Sequence, residues 1–207
     1  MLILHDYPAS LNGWKAHVLL GLLGLDYEVR PVAIFSGESR TAEFLEKNPA
    51  GAIPVLELED GRTLAESNAI LCYLAEGTRY LPVERFARTK VLQWLFFEQY
   101  YIEPTIGSLR FWTLTGRMQA NAALVEGKRA GGERGLAGME RALRNAPFLA
   151  GGDFTIADLA VYAYSHLAED AGFSLADYPN VRVWIARVAD IIGSDYPVHP
   201  YGEEANP

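Results

Sequence analysis

Residues 7–15 read YPASLNGWK, so a tyrosine, a serine and an asparagine crowd the junction between an apolar run and an apolar helical pattern. One polar side chain is enough to cap a helix, and Ser10 or Asn12 could serve as that cap. Tyr7, Ser10 and Asn12 together could also surround an anionic atom. A hydroxyl and an amide at a helix start are donors suited to a thiolate. A free thiol has a pKa near ~8.5, so only a few per cent is ionised at neutral pH. A hydrogen bond to a charged group contributes about 1.5–3 kcal/mol. At roughly 1.4 kcal/mol per unit, such a donor lowers the thiol pKa by about one to two units. The thiol need not belong to the protein: Cys72, the one cysteine, is in the wrong place for it, in the apolar stretch AILCYLAE, and reads as a buried, inert side chain.

Two further stretches carry groups a ligand could use. In NPAGAIPVLE (48–57), Pro54 stands directly before a strand, where it cannot donate to a central ladder. A cis Ile53–Pro54 bond would turn the Ile53 N–H and C=O outward to pair with an extended peptide; an ordinary trans proline at a strand start is the alternative. In LAESNAI (64–70), Ser67 reads as a helix N-cap. The same helix start offers unpaired N–H groups and a positive dipole end to a carboxylate, and Glu66 could hold an ammonium. Together they would grip a zwitterionic amino-acid head. The four histidines, His5, His17, His166 and His199, show no ligand spacing, so no metal is expected.

The elements that must position these groups fall into two styles. LILH (2–5) reads as a buried strand. Residues 12–24 put Trp14, Val18, Leu22 and Leu25 on a near-helical spacing with Lys15 and His17 on another face, and Gly24 closes the helix. YEVRPV (27–32) is a second strand and TAEFLEKN (41–48) a short helix. VLELEDGRTLA (55–65) reads as a hairpin whose Asp60-Gly61 pair favours a type I′ turn. SNAILCYLAEG (67–77) is a helix. This β-α-β-α-β-β-α order predicts a mixed sheet, with parallel strands where a helix connects them. After residue 80 strand signals stop, and Pro82 marks a linker. Helices are expected over 86–110, 119–145, 155–170 and 180–192, with an irregular tail from Tyr196. At 153–164 Thr155 and Asp158 form a capping box, with Phe154 and Leu159 placed for a hydrophobic staple. This is a folding signal.

The chain has 207 residues, 50% of them hydrophobic, ample for one large core or two smaller ones. Its formal charge of −8 and the lack of a basic stripe make nucleic acid an unsuitable partner. No apolar stretch approaches the ~18–20 residues that span a bilayer, and residues 1–8 lack the features of a signal peptide. A soluble, cytoplasmic protein with no membrane partner is the reading.

The three polar stretches, in this order and on this succession of elements, resemble the glutathione S-transferase superfamily over essentially the whole chain. AIP resembles its cis-proline loop, Glu66-Ser67 its γ-glutamyl site, and FTIAD its helix-capping motif. The resemblance implies a thioredoxin-like α/β domain over 1–80 and an all-α domain over 87–207 that supplies a hydrophobic substrate site. It implies glutathione as co-substrate: Glu66 on its α-ammonium, Ser67 on its carboxylate, the backbone at Ile53-Pro54 on its cysteinyl residue, and the sulfur beside the first helix. Some classes activate that sulfur with a tyrosine at the end of the first strand, and Tyr7 falls one residue past that position. Others use a hydroxyl near the helix, which Ser10 matches. S-x-N-G-x-K resembles a bacterial, nu-class-like group, which points to Ser10 and Asn12 with Tyr7 in reserve. Where many members place Gln or Lys, this chain has Ala52, so the glycine end is left to Arg40 or Lys47 or is held weakly. Tyr100, Tyr101, Phe111 and Trp112 are candidates for the apolar half of the site, although aromatic residues on a helix usually belong to the core. Thiolate attack on an apolar electrophile, disulfide exchange and a non-catalytic binding scaffold are the functions implied, and a homodimer is the implied assembly.

Overall fold

In the computed structural model, described for residues 1–206, the opening apolar run is strand β1 (Leu2–Asp6), followed by α1 (Leu11–Leu22), β2 (Tyr27–Pro31), two 3-10 turns, α2 (Ala42–Lys47), β3 (Val55–Glu57), β4 (Thr63–Ala65) and α3 (Ser67–Ala75). The sheet order is β2-β1-β3-β4. Leu4 lies opposite Val29 in the parallel β1–β2 pair and opposite Leu56 in the antiparallel β1–β3 pair. The parallel rule therefore holds for β1 and β2 but not for β3. The connection from β2 to β3 is two 3-10 turns, a two-turn helix and a loop with a cis proline, not the single crossover helix of a β-α-β unit, and β3 enters beside β1 in the opposite sense. The hairpin also differs from expectation. Gly61 has φ 83° while Asp60 keeps an ordinary φ, and Leu58 N–H donates to Arg62 O at 2.8 Å. A three-residue loop of Glu59, Asp60 and Gly61 thus replaces the two-residue turn, so a single left-handed residue suffices.

Leu4, Val18, Leu19, Leu56, Ile70 and Leu71 are fully buried, so α1 and α3 pack on each other over the β1–β3 face. Ser194–Pro200 belongs to the same compact unit as Met1–Glu76. The expected tail is irregular but docked: Trp14 Nε1–H donates to Tyr196 O at 2.8 Å. The Tyr196 hydroxyl covers Gly21 so closely that a Cβ there would lie 1.7 Å from it.

The second unit, Gly77–Gly193 with the residues from Tyr201 on, is helical. Its elements are α4 (Arg85–Phe97), a π-helix over Glu98–Gly107, α5 (Ser108–Leu114), α6 (Ala122–Ala142), α7 (Ile156–Ser165) and α8 (Pro179–Ile192). The single helix expected over 86–110 is thus three segments. Pro104 has no N–H and its ring crowds the carbonyl four residues back. The wider π register accommodates it, and the Thr105 hydroxyl donates to the carbonyls of Tyr101 and Ile102. Every residue of α7 is buried. Its capping box forms as read, with Thr155 N–H donating to Asp158 Oδ2 at 3.0 Å. The architecture is a thioredoxin-like α/β unit followed by an all-α unit.

Candidate functional site

The packing of α1 on α3 brings their first turns together, so residues 52–55 positions apart in sequence touch. Ser10 is the N-cap of α1, its Oγ accepting from Gly13 N–H at 3.1 Å. Capping and ligand binding are compatible, because a hydroxyl that accepts one bond keeps its own proton to donate. Asn12 Oδ1 accepts from Lys15 Nζ at 2.9 Å and from the Ser67 hydroxyl at 3.1 Å. Lys15 Nζ lies a further 3.5 Å from Ser67 Oγ, a long and weak contact. Two helix N-termini, one hydroxyl cap and a buried ammonium therefore meet, an arrangement suited to an anion.

Lys15 is 0% exposed, although the sequence pattern set it on a face away from the core. The available signal was its spacing of three from Asn12, which puts both on one side of a helix. Ser67 also differs from its reading. It is the first residue of α3 rather than its cap, and its side chain turns to Asn12. Glu66 occupies the cap position with φ 65° and ψ 111°, the one non-glycine residue at positive φ among those described, and it is exposed. Such a backbone conformation costs on the order of 1–3 kcal/mol and concentrates at ligand sites.

The Ile53–Pro54 bond is cis. The β3–β4 ladder begins with the pair Val55 and Ala65, so the Ile53 N–H and C=O precede the sheet's own hydrogen bonding. Arg40 Nη1 donates to Ala50 O at 2.8 Å and steadies the loop leading to Ile53. The Lys47 ammonium is held by Glu57 at 2.7 Å, and His5 Nε2 meets the same carboxylate oxygen at 2.9 Å. Lys47 and then His5 hold the Glu57 carboxyl below its ordinary range. Tyr7 is buried, its ring edge-on to Phe35 at 5.4 Å. Its carbonyl accepts from Ser10 N–H at 2.8 Å.

The four aromatic candidates lie in the helical unit. Tyr100 and Tyr101 form one edge-to-face pair at 4.8 Å. Phe111 packs on Tyr201 at 5.4 Å, and Lys128 Nζ sits 5.2 Å from the Trp112 ring centre. These contacts do not join the two pairs to each other. Among the described residues no cluster of His, Cys, Asp or Glu is arranged to hold a metal ion, and no helix is long and apolar enough to cross a membrane.

Two family models match the chain: the glutathione S-transferase N-terminal domain over residues 9–76 and the C-terminal domain over 122–187. A crystal structure of a glutathione S-transferase from Pseudomonas fluorescens Pf-5 is similar with a TM-score of 0.88 at 44% identity, over 96% of this chain and 96% of that one. A glutathione transferase family member from the same organism, solved with two glutathione bound, has a TM-score of 0.78 at 28% identity, over 91% of this chain and 88% of its own. The disulfide-bond oxidoreductase YfcG of Escherichia coli K12 is 30% identical over 189 residues, 88% of this chain and 87% of its own length. These likenesses run through both units and do not single out one class. With a solved transferase at 44% identity across nearly the full chain, the conclusion is that this protein belongs to the glutathione S-transferase superfamily.

Proposed function

We propose that this protein binds glutathione and lowers the pKa of its thiol for transfer to an apolar electrophile. The observation that carries this reading is the Ser67–Asn12 hydrogen bond where α1 and α3 begin, with Ser10 capping α1 two residues before Asn12. Ser67 and the N–H groups of the first α3 turn bind the γ-glutamyl carboxylate, and Glu66 binds its ammonium. The Ile53 backbone pairs with the cysteinyl residue in the manner of an added strand. Arg40, beside that loop, is assigned the glycine end. Ser10 and Asn12 then donate to the sulfur, with Tyr7 in reserve. The thiol proton leaves to water. The thiolate forms a C–S bond while the leaving group departs with its electron pair. Tyr100, Tyr101, Phe111 and Trp112 are proposed as apolar contacts for the electrophile, and a homodimer as the assembly, to be read by light scattering.

Disulfide exchange is a second reading, supported by the likeness to the Escherichia coli disulfide-bond oxidoreductase. In it the same thiolate attacks one sulfur of a disulfide and the other leaves as a thiolate, with no protein cysteine taking part.

Calorimetry with reduced and oxidised glutathione, followed by assays with an aryl halide and with a small dialkyl disulfide, separates the readings. Ser67→Ala is expected to weaken glutathione binding about 10- to 100-fold, the loss of one hydrogen bond to a charged group. Uptake of glutathione without turnover in either assay would favour a binding scaffold. Absence of uptake removes the proposal.

A further inference from the structure

A cavity of about 360 Å3 lies in the α/β unit among the end of β1, α1, β2 and the docked segment Asp195–His199, and none of the residues lining it is among those assigned to glutathione. Its walls follow from the strand and helix periods. Asp6 closes β1, and Tyr27 and Val29, two apart on the paired strand β2, share a face. Trp14 and His17, three apart on α1, reach the same space. Tyr196 completes it, its carbonyl accepting from Trp14 Nε1–H at 2.8 Å. Asp6 is 2% exposed, yet neither of its carboxylate oxygens has a hydrogen-bond partner among the described residues. His17 Nε2 comes to 3.3 Å from Oδ2 without hydrogen-bond geometry, and His17 Nδ1 meets the Tyr27 hydroxyl at 3.0 Å. A carboxylate out of water and without donors is costly, and native interiors rarely leave one so.

We propose that this cavity is a second binding site, which takes a small organic cation: a primary ammonium seated on Asp6, its apolar body held among Trp14, Tyr27 and Tyr196. The volume lies within the ~300–1,000 Å3 of small-molecule sites. Asp195 is a second carboxylate at the cavity, and no lysine or arginine among the described residues lines it, so its charge favours a cation. Its acidic residues, His17 and His199 are not arranged to hold a metal ion, which leaves an organic one. The three aromatic rings suit such a ligand, because their faces attract a cation and their bodies cover its apolar part. Burial raises the Asp6 pKa, and an ammonium would supply the donors and the countercharge that this carboxylate lacks. The site stands independently of the glutathione reading.

The test is calorimetry of the full chain with benzylamine as the probe, and with benzyl alcohol and benzoate as its neutral and anionic counterparts. Wild type is expected to take up benzylamine, to bind benzyl alcohol about 10- to 100-fold more weakly, and to leave benzoate unbound. Asp6→Asn is expected to weaken benzylamine by a similar factor while changing benzyl alcohol little. Saturating glutathione is expected to leave the benzylamine affinity unchanged. No uptake of benzylamine, or equal uptake of benzyl alcohol, would overturn the inference, the latter by showing a merely apolar cavity. Displacement by glutathione would also overturn it, since the probe would then occupy the tripeptide's site. If Asp6→Asn does not fold, Tyr196→Ala decides: it keeps the carbonyl that Trp14 uses and removes one wall, so an unchanged benzylamine affinity would place the probe outside the cavity.

Discussion

Gly13 lies in the first turn of α1 against the Asp6 carboxylate, and a Cβ added there would come within 1.8 Å of Oδ2. Asp6 is 2% exposed, and burial raises its pKa above the ordinary carboxylate range. His17 Nε2, 3.3 Å from Oδ2, works in the opposite direction. Any retreat of the buried carboxylate would disturb its contact with His17. Gly13→Ala is therefore expected to destabilise the protein by about 1–3 kcal/mol or more, the range for overpacking. Adding Asp6→Ala should return part of that loss, read as a coupling in urea unfolding. A full-strength penalty in the double variant would assign it elsewhere. The glycine was legible in the sequence only as the G of S-x-N-G; that it is obligatory follows from Asp6, which the strand brings beneath it. Ser10 and Asn12 were legible by type and by their distance from an apolar helix. Lys15 was not, because a lysine on an amphipathic pattern is normally placed outward, and its spacing of three from Asn12 marks a shared side of the helix but not burial.

Among the elements, α7 and the π segment show opposite degrees of legibility. The start of α7 was readable because a capping box is made within four consecutive residues. Only the fold shows that Asp158 does more. Its Oδ1 also accepts from Leu149 N–H at 2.8 Å and from Trp184 Nε1–H at 2.9 Å, tying a loop and α8 to the same carboxylate. Asp158→Ala leaves three buried N–H groups without this acceptor, each worth about 1–3 kcal/mol. A loss of at least ~3 kcal/mol is expected in urea unfolding, and Asp158→Asn, which keeps one oxygen, should lose less. A loss below ~1 kcal/mol in the alanine variant would show that water replaces the carboxylate. The π segment, by contrast, hid inside a helical pattern. Pro104 signalled an interruption, but the choice of a wider helix over a kink depends on Thr105 and on the packing of α6 and α7 against this segment.

For the chain as a whole, groups that folding removes from water contribute to the pH dependence of stability, beside hydrogen-bonded carboxylates such as Glu57. Burial pushes the His166 pKa down to about 4. Its ring stacks on Tyr162 at 4.2 Å, and its Nδ1–H donates to Tyr162 O at 2.6 Å. A histidine is ordinarily protonated below ~6.5. Between that value and about 4 the unfolded chain binds a proton that the folded one refuses. This contribution is complete above ~6.5 and is lost as pH falls, amounting to roughly 3 kcal/mol over the window. Asp6 and Asp158, raised by burial, have the opposite slope: the folded form keeps their protons to higher pH, so stability falls as pH rises through their titration. Comparing wild type with His166→Phe isolates the histidine. The wild-type melting temperature should fall more steeply from pH 6.5 to 4 than the variant's, and parallel curves would sink the assignment.

Local order was available in the residues themselves. Strand and helix succession, the capping box, the proline before β3 and the polar cluster at 7–12 all arise from neighbours within a few positions, where backbone geometry and side-chain type act directly. What required the tertiary structure was each relation that closes a long loop. α1 and α3 meet through a common apolar face, and that meeting alone lets the Ser67 hydroxyl donate to Asn12 Oδ1 and buries the Lys15 side chain beside them. Burial and hydrogen-bond direction are properties of the packed surroundings, so a polar residue's type states what it can donate or accept, and only the folded neighbours decide to whom.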